Sequence, residues 1–132
     1  MKSKAILLVE DDYSLRQTIK IVLASSGFTV DTACNGQEAL RYLNQHGTPA
    51  LMLLDMMMPV MNGPELLDKL IQEGRHNDFP IVILSAVADD EVANPYKYPA
   101  IVKPVRMQTL LDLAKQHCGT ALSPDSTAES AA

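Results

Sequence analysis

Residues 5–9 are an unbroken aliphatic run, Ala-Ile-Leu-Leu-Val, that stops at the acidic trio Glu10, Asp11 and Asp12. A run without polar alternation predicts a strand covered on both faces, as in a parallel sheet. Leu15, Ile19, Val22 and Leu23 then recur at helical spacing up to Ser25-Ser26-Gly27, and a glycine just past the last periodic residue is a helix-stop signal. Residues 28–33 alternate as a second strand and reach Asn35-Gly36, which reads as a turn, after which Ala39, Leu40 and Leu43 mark a second helix ending at Gly47. Residues 51–54 repeat the first pattern, and Asp55 ends them as Glu10 ends the first run. Beyond the loop Met56-Met57-Met58-Pro59-Val60-Met61-Asn62-Gly63, Pro64 stands where proline is tolerated, at the first position of a third helix carrying Leu66, Leu67, Leu70 and Ile71 and closed by Gly74. Residues 80–84 predict a fourth strand, residues 100–102 a short fifth, and residues 105–118, with Leu110, Leu111 and Ala114, a last helix.

Five strands alternating with helices predict an α/β domain built on a doubly wound parallel sheet. The length of 132 residues, 47% of them hydrophobic, supports one domain with its own core and leaves no room for a second. That domain is expected over residues 1–118, with residues 119–132, small and polar from Ser123 on, as a flexible tail or the start of a linker. A net charge of −5 without any Lys/Arg cluster argues against nucleic acid or an anionic membrane as a partner. No uncharged apolar stretch approaches the roughly 20 residues that cross a bilayer. The first apolar run is also shorter than the ~7–15 residues of a secretory signal, so a cytoplasmic protein is expected. Cys34 and Cys118, 84 positions apart and without CxxC spacing, are expected to be free and buried. His46, His76 and His117 lie away from every motif and read as surface residues.

Ligands of open parallel sheets sit beyond the carboxyl ends of the strands. Glu10, Asp11, Asp55, Ser85 and Lys103 all fall at or just after such ends. Carboxylates crowded at one edge repel one another unless a hard cation offsets them, and a few oxygens with room for water suit Mg²⁺. Lys103 would add a compact positive charge and Ser85 a hydroxyl, a combination suited to an oxyanion such as a phosphoryl group.

These residues also carry a resemblance. Glu10-Asp11-Asp12 after the first strand, Asp55-x-x-Met58-Pro59-x-Met61-x-Gly63 after the third, Ser85-Ala86 after the fourth and Lys103-Pro104 after the fifth resemble, in order and over about residues 4–118, the receiver domains of two-component response regulators. The resemblance implies a flavodoxin-like fold with strand order 2-1-3-4-5, an order that general accounts of doubly wound sheets illustrate with a chemotaxis receiver. It implies that Asp55 accepts a phosphoryl group from a histidine kinase or a histidine phosphotransfer protein, and that phosphorylation switches a surface for a downstream protein target. Asp11 would bind Mg²⁺ directly, Glu10 through water, and Asp55 and the backbone carbonyl of Met57 would complete the protein ligands. Lys103 would pair with Asp55 and then with the phosphoryl oxygens, and the Ser85 hydroxyl would turn to the phosphoryl group. The Lys103–Pro104 bond is implied to be cis. Such a domain is no enzyme beyond its own phosphorylation and dephosphorylation.

Bland readings stand beside these. Asp11 or Asp12 could cap the first helix, Ser85 could be a turn residue, and the methionines of the third loop suit packing better than redox chemistry. An aspartyl phosphatase would need a second acid two residues beyond Asp55, where Met57 stands, and a flavin-binding flavodoxin a Ser/Thr/Gly-rich phosphate loop where the acids stand. A receiver-like scaffold that binds partners without being phosphorylated is the remaining alternative. The two side chains that would flank an attacking water, Met57 and Val87, are apolar, so slow self-dephosphorylation is expected.

One interval departs from the pattern. Only 17 residues separate Ser85 from Lys103. A helix of ~11 residues, a strand of ~5 and two loops of ~4 need roughly 24. With Pro95 and Pro99 in the interval, the fourth helix is expected to be one or two turns near residues 89–93 or missing, so the signal would be relayed through an altered face. The position three before the lysine, aromatic in many receivers, holds Ala100 here, and neither Tyr96 nor Tyr98 is in register to replace it.

Overall fold

The computed structural model describes residues 5–86 and 98–119. The strands are β1 (Ile6–Val9), β2 (Val30–Ala33), β3 (Leu51–Asp55), β4 (Ile81–Ser85) and β5 (Ala100–Val102). The helices are α1 (Tyr13–Ser25), α2 (Gly36–His46), α3 (Gly63–Gln72) and α4 (Met107–Cys118). All strands pair in parallel in the order β2-β1-β3-β4-β5. The expected shortened or missing helix near residues 89–93 lies outside the described residues, as does the tail beyond Gly119.

Every residue of β1, β3 and β4 is buried, because successive side chains enter opposite faces and both faces are covered. Leu7, Val9, Met52, Leu54, Ile81 and Ile83 pack with Leu43, Leu66, Leu67 and Leu70 of α2 and α3. Ile6, Leu8, Leu51, Leu53, Val82 and Leu84 pack on the other face with Ile19, Leu23, Leu110 and Ala114 of α1 and α4. The edge strand β2 departs from simple alternation: Val30 and Ala33 are buried, whereas Asp31 and Thr32 are both half-buried. Asp31 is drawn in by the Tyr42 hydroxyl, which donates to its Oδ2 at 2.6 Å.

Helices α1, α2 and α3 follow β1, β2 and β3, each started by a side chain that accepts a hydrogen bond from an otherwise orphaned helical N–H. Asp12 caps α1 by accepting from Leu15 N at 3.1 Å, which settles which acid of the trio does so. Asn35 caps α2 by accepting from Glu38 N at 2.8 Å, so Asn35-Gly36 is a helix start, not the free-standing turn its composition suggests. Around Asn62 the bonds are reciprocal: its Oδ1 accepts from Glu65 N and its N–H donates to Glu65 Oε1, both at 2.9 Å. Asn62→Ala is expected to cost about 1 kcal/mol in urea unfolding, and an unchanged midpoint would show that packing alone fixes the start of α3. Pro64 sits second in α3, one place later than its spacing predicts, and Gly74, at φ 69°, follows the helix as expected.

Neither described cysteine forms a disulfide, but both are half-buried where full burial is expected, since each sits at the end of an element and not in its middle. His46 is exposed and His117 half-buried. His76 departs further from a surface residue: it is half-buried, and its Nδ1 is shielded from solvent.

Candidate functional site

Register builds the site. Val9 pairs with Leu54, Asp55 with Leu84, and Ser85 with Val102, so Glu10 arrives level with Asp55, and Ser85 and Lys103 each follow one step on. The result is a cleft of about 380 Å³ beyond the carboxyl ends of the strands, lined by Glu10, Asp11, Asp12, Asp55, Met56, Met57, Leu84, Ser85, Ala86 and Lys103. Glu10, Asp11, Asp55, Met57, Ser85 and Lys103 are therefore at one place. Glu10, Asp55 and Ser85 are buried, whereas Asp11 is exposed at the mouth. One carboxylate oxygen from each of Glu10, Asp11 and Asp55 lies within 4.8 Å of the others.

A single ammonium holds the two buried acids. Lys103 Nζ is 3.1 Å from Glu10 Oε1 and 3.3 Å from Asp55 Oδ1. The Glu10 contact is one of charge, because its angles do not make an aligned hydrogen bond and buried Oε1 has no other partner among the described residues. The other Glu10 oxygen accepts from Asp12 N at 3.2 Å, and Asp55 Oδ1 accepts from Met57 N at 3.3 Å. The Lys103–Pro104 peptide is cis.

The electrostatics follow from burial. Desolvation, then the neighbouring Asp55 carboxylate, raise Glu10 to about 7 against the pull of the Asp12 N–H and of Lys103. Desolvation also raises Asp55, opposed by Glu10, the Met57 N–H and Lys103. Burial by itself would lower Lys103, but the two carboxylates outweigh it and hold the ammonium above its usual range. More negative charge is gathered here than one lysine offsets. A donor set of carboxylate oxygens, one of them buried without an aligned partner, fits a hard divalent cation.

The loop behind Asp55 is held from two sides. Gly36 N donates to Met61 O at 2.8 Å and Gly63 N to Met56 O at 3.2 Å. Met56 is buried in the core, Met58 and Met61 pack against it, and Met57 is 76% exposed, so the methionines are packing residues apart from Met57. Met61 N donates to Pro59 O at 2.8 Å across Val60, whose φ of 68° is rare for a β-branched residue. Tyr98 is half-buried against the core and Ala100 is exposed, which leaves the position three before Lys103 without a ring.

One residue not singled out from the sequence stands behind this cleft. Arg16 Nη1 donates to Glu10 O at 2.8 Å and to Asp11 O at 3.3 Å. The available signal was its place at the end of the first turn of α1, where the helix dipole disfavours a cation, directly after an acidic loop that attracts one.

A parallel 2-1-3-4-5 sheet with a carboxylate at the end of its central strand, two further acids beside it and a lysine on a cis-proline turn defines a receiver-type domain. Over residues 6–115 the chain matches the response regulator receiver domain, and it belongs to that family. The regulatory protein VanRB of Enterococcus faecalis is 37% identical over 114 residues, covering 80% of this chain and 48% of the relative. The chain spans from about a third to about half the length of the curated relatives it matches. Among solved structures, the Thermotoga maritima response regulator TrrA in complex with Mg(2+)-BeF is similar at 28% identity and a TM-score of 0.73, over 86% of this chain and 98% of that one. Chemotaxis protein CheY4 of Vibrio cholerae matches at 28% and 0.73, over 88% and 97%. Receiver domains interact with histidine kinases and with downstream targets. Among the described residues no helix is long and apolar enough to cross a membrane.

Proposed function

We propose that this domain accepts a phosphoryl group on Asp55 from a phosphohistidine of a histidine kinase or histidine phosphotransfer protein, and that the modification switches a surface read by a downstream protein. The observation that carries this reading is the Lys103 ammonium 3.3 Å from Asp55 Oδ1 in a cleft that Glu10, Asp11 and Ser85 also line. An Asp55 oxygen attacks phosphorus, the P–N bond breaks, and the histidine nitrogen keeps the electron pair. Glu10, Asp11, Asp55 and the Met57 carbonyl would hold Mg²⁺, Glu10 through water, and the ion would offset charge on the phosphoryl oxygens. Lys103, already paired with Asp55, follows the charge onto the new phosphoryl oxygens, and the Ser85 hydroxyl bonds one of them. Ser85 thereby reports the modification.

Acetyl phosphate with Mg²⁺, followed by intact-mass and peptide mass spectrometry, tests the reading. A single phosphoryl added on Asp55, and none when the metal is chelated, supports it. No mass gain would leave the non-phosphorylated scaffold in its place.

Lifetime depends on what a water meets on its way in. Met57 stands exposed at the mouth of the cleft and can cover the phosphoryl group but cannot orient a water. Val87 falls outside the described residues. Met57→Asn is expected to speed dephosphorylation about fivefold, the worth of one hydrogen bond of roughly 1 kcal/mol to the attacking water. An unchanged decay of the labelled protein would place control of water access elsewhere.

A further inference from the structure

Arg16 lies outside the cleft, yet it touches the backbone of both acids that precede α1. Its Nη1 donates to Glu10 O at 2.8 Å and to Asp11 O at 3.3 Å. Its guanidinium carbon lies 5.4 Å from the centre of the Tyr13 ring, which limits where the side chain can swing. The helix dipole does not explain a cation here. Near a helix N-terminus a positive side chain is disfavoured, and α1 has no acid in its first turn to offset it. The two carbonyl bonds and the acidic loop supply that offset.

The geometry points to Arg16 as a positioning residue for the divalent cation of this site, an inference that rests on the phosphoryl-acceptor reading. Glu10 and Asp11 leave the sheet in opposite settings, one wholly buried and one exposed at the mouth. Their carboxylates can serve one ion only if the intervening backbone holds a fixed twist. Glu10 N donates to Ala33 O at 3.0 Å on one side, and Asp12 N closes back on Glu10 Oε2 at 3.2 Å. Neither of these bonds reaches the Glu10 or Asp11 carbonyl. Arg16 holds both with one nitrogen, so it fixes the peptide between the two acids. Groups that orient metal ligands from behind typically change affinity by about 10–100-fold when removed.

Mg²⁺ titration by calorimetry, paired with thermal unfolding without metal, tests the inference on the whole chain. Arg16→Ala is expected to weaken Mg²⁺ binding about tenfold or more. Arg16→Lys, which keeps the charge and can reach one carbonyl, should fall between it and the parent. Should Arg16→Ala not fold, Arg16→Gln, which keeps a donor without the charge, carries the same comparison and is expected to bind more weakly than the parent. Mg²⁺ affinity within twofold of the parent in the folded variant would overturn the inference, whatever happens to its melting temperature, because Arg16 would then only staple α1. A parent that binds no Mg²⁺ at all would instead overturn the phosphoryl-acceptor reading beneath it.

Discussion

Asp55→Asn is expected to abolish phosphoryl incorporation while the domain stays folded. Distance alone does not choose the nucleophile, since Lys103 Nζ lies slightly nearer Glu10 Oε1, at 3.1 Å, than Asp55 Oδ1, at 3.3 Å. The surroundings do choose. Glu10 is wholly buried, with one oxygen against the Lys103 ammonium and the other accepting from Asp12 N, so it offers an incoming phosphoryl group no exposed oxygen. Asp55 receives the Met57 N–H as well as the ammonium, both of which favour its carboxylate form, and it borders Ser85 in the cleft. Asparagine has nearly the same shape but no anionic oxygen, so attack on phosphorus ends. It also removes one of two crowded negative charges, so the variant should unfold at a denaturant concentration no lower than the parent's. Asp11→Ala is expected to lose labelling too, again without unfolding, because Asp11 is exposed and caps no helix. The readout is phosphoryl incorporation in peptides containing residue 10 or residue 55. Undiminished incorporation in Asp55→Asn, or label on Glu10 in the parent, would overturn the assignment.

What the sequence disclosed and what it hid divide along physical lines. Strands of this sheet are buried on both faces, so residues 5–9, 51–54 and 80–84 announce themselves as aliphatic runs, and the first charge or hydroxyl after each run marks the site edge. Backbone register then carries Glu10, Asp55, Ser85 and Lys103 to one cleft with no further information needed. Long side chains are different. Lys103 reaches Glu10 as well as Asp55, and Arg16 reaches backward over its own helix start to two carbonyls. Such contacts depend on the path of four-bond stems, for which hydrophobic period gives no signal. Local propensity misread Asn35-Gly36 for a similar reason. Asn favours both helix caps and turns, and the bond its side chain accepts from Glu38 N, with Gly36 N tied to Met61 O of the third loop, decides between them. Residues 87–97, where the short interval before Lys103 makes the sequence most unusual, lie outside the described residues.

Gly63→Ala pits helix propensity against packing, and packing is expected to win. Alanine is favoured over glycine in a helix by up to about 1 kcal/mol, and Gly63 opens α3 without a left-handed backbone. Propensity by itself therefore predicts a more stable protein. A Cβ at this position would lie 2.6 Å from Met56 Sδ, 2.7 Å from Met56 Cα and 2.9 Å from Asp55 O. The sulfur can rotate away, but the other two atoms are the backbone that carries Asp55 into the cleft. Either that backbone shifts or α3 backs out and draws its own fully buried Leu66, Leu67 and Leu70 away from the core. Overpacking of this kind costs roughly 1–3 kcal/mol, enough to exceed the propensity gain across most of that range. The shift would also break the Gly63 N–H bond to Met56 O and disturb the Met57 N–H bond to Asp55. Urea unfolding should show a lower midpoint, and labelling by acetyl phosphate should slow in the fraction that remains folded. A midpoint at or above that of the parent would mean that the loop yields freely, and the close approach of α3 to Asp55 would then not be what fixes the site.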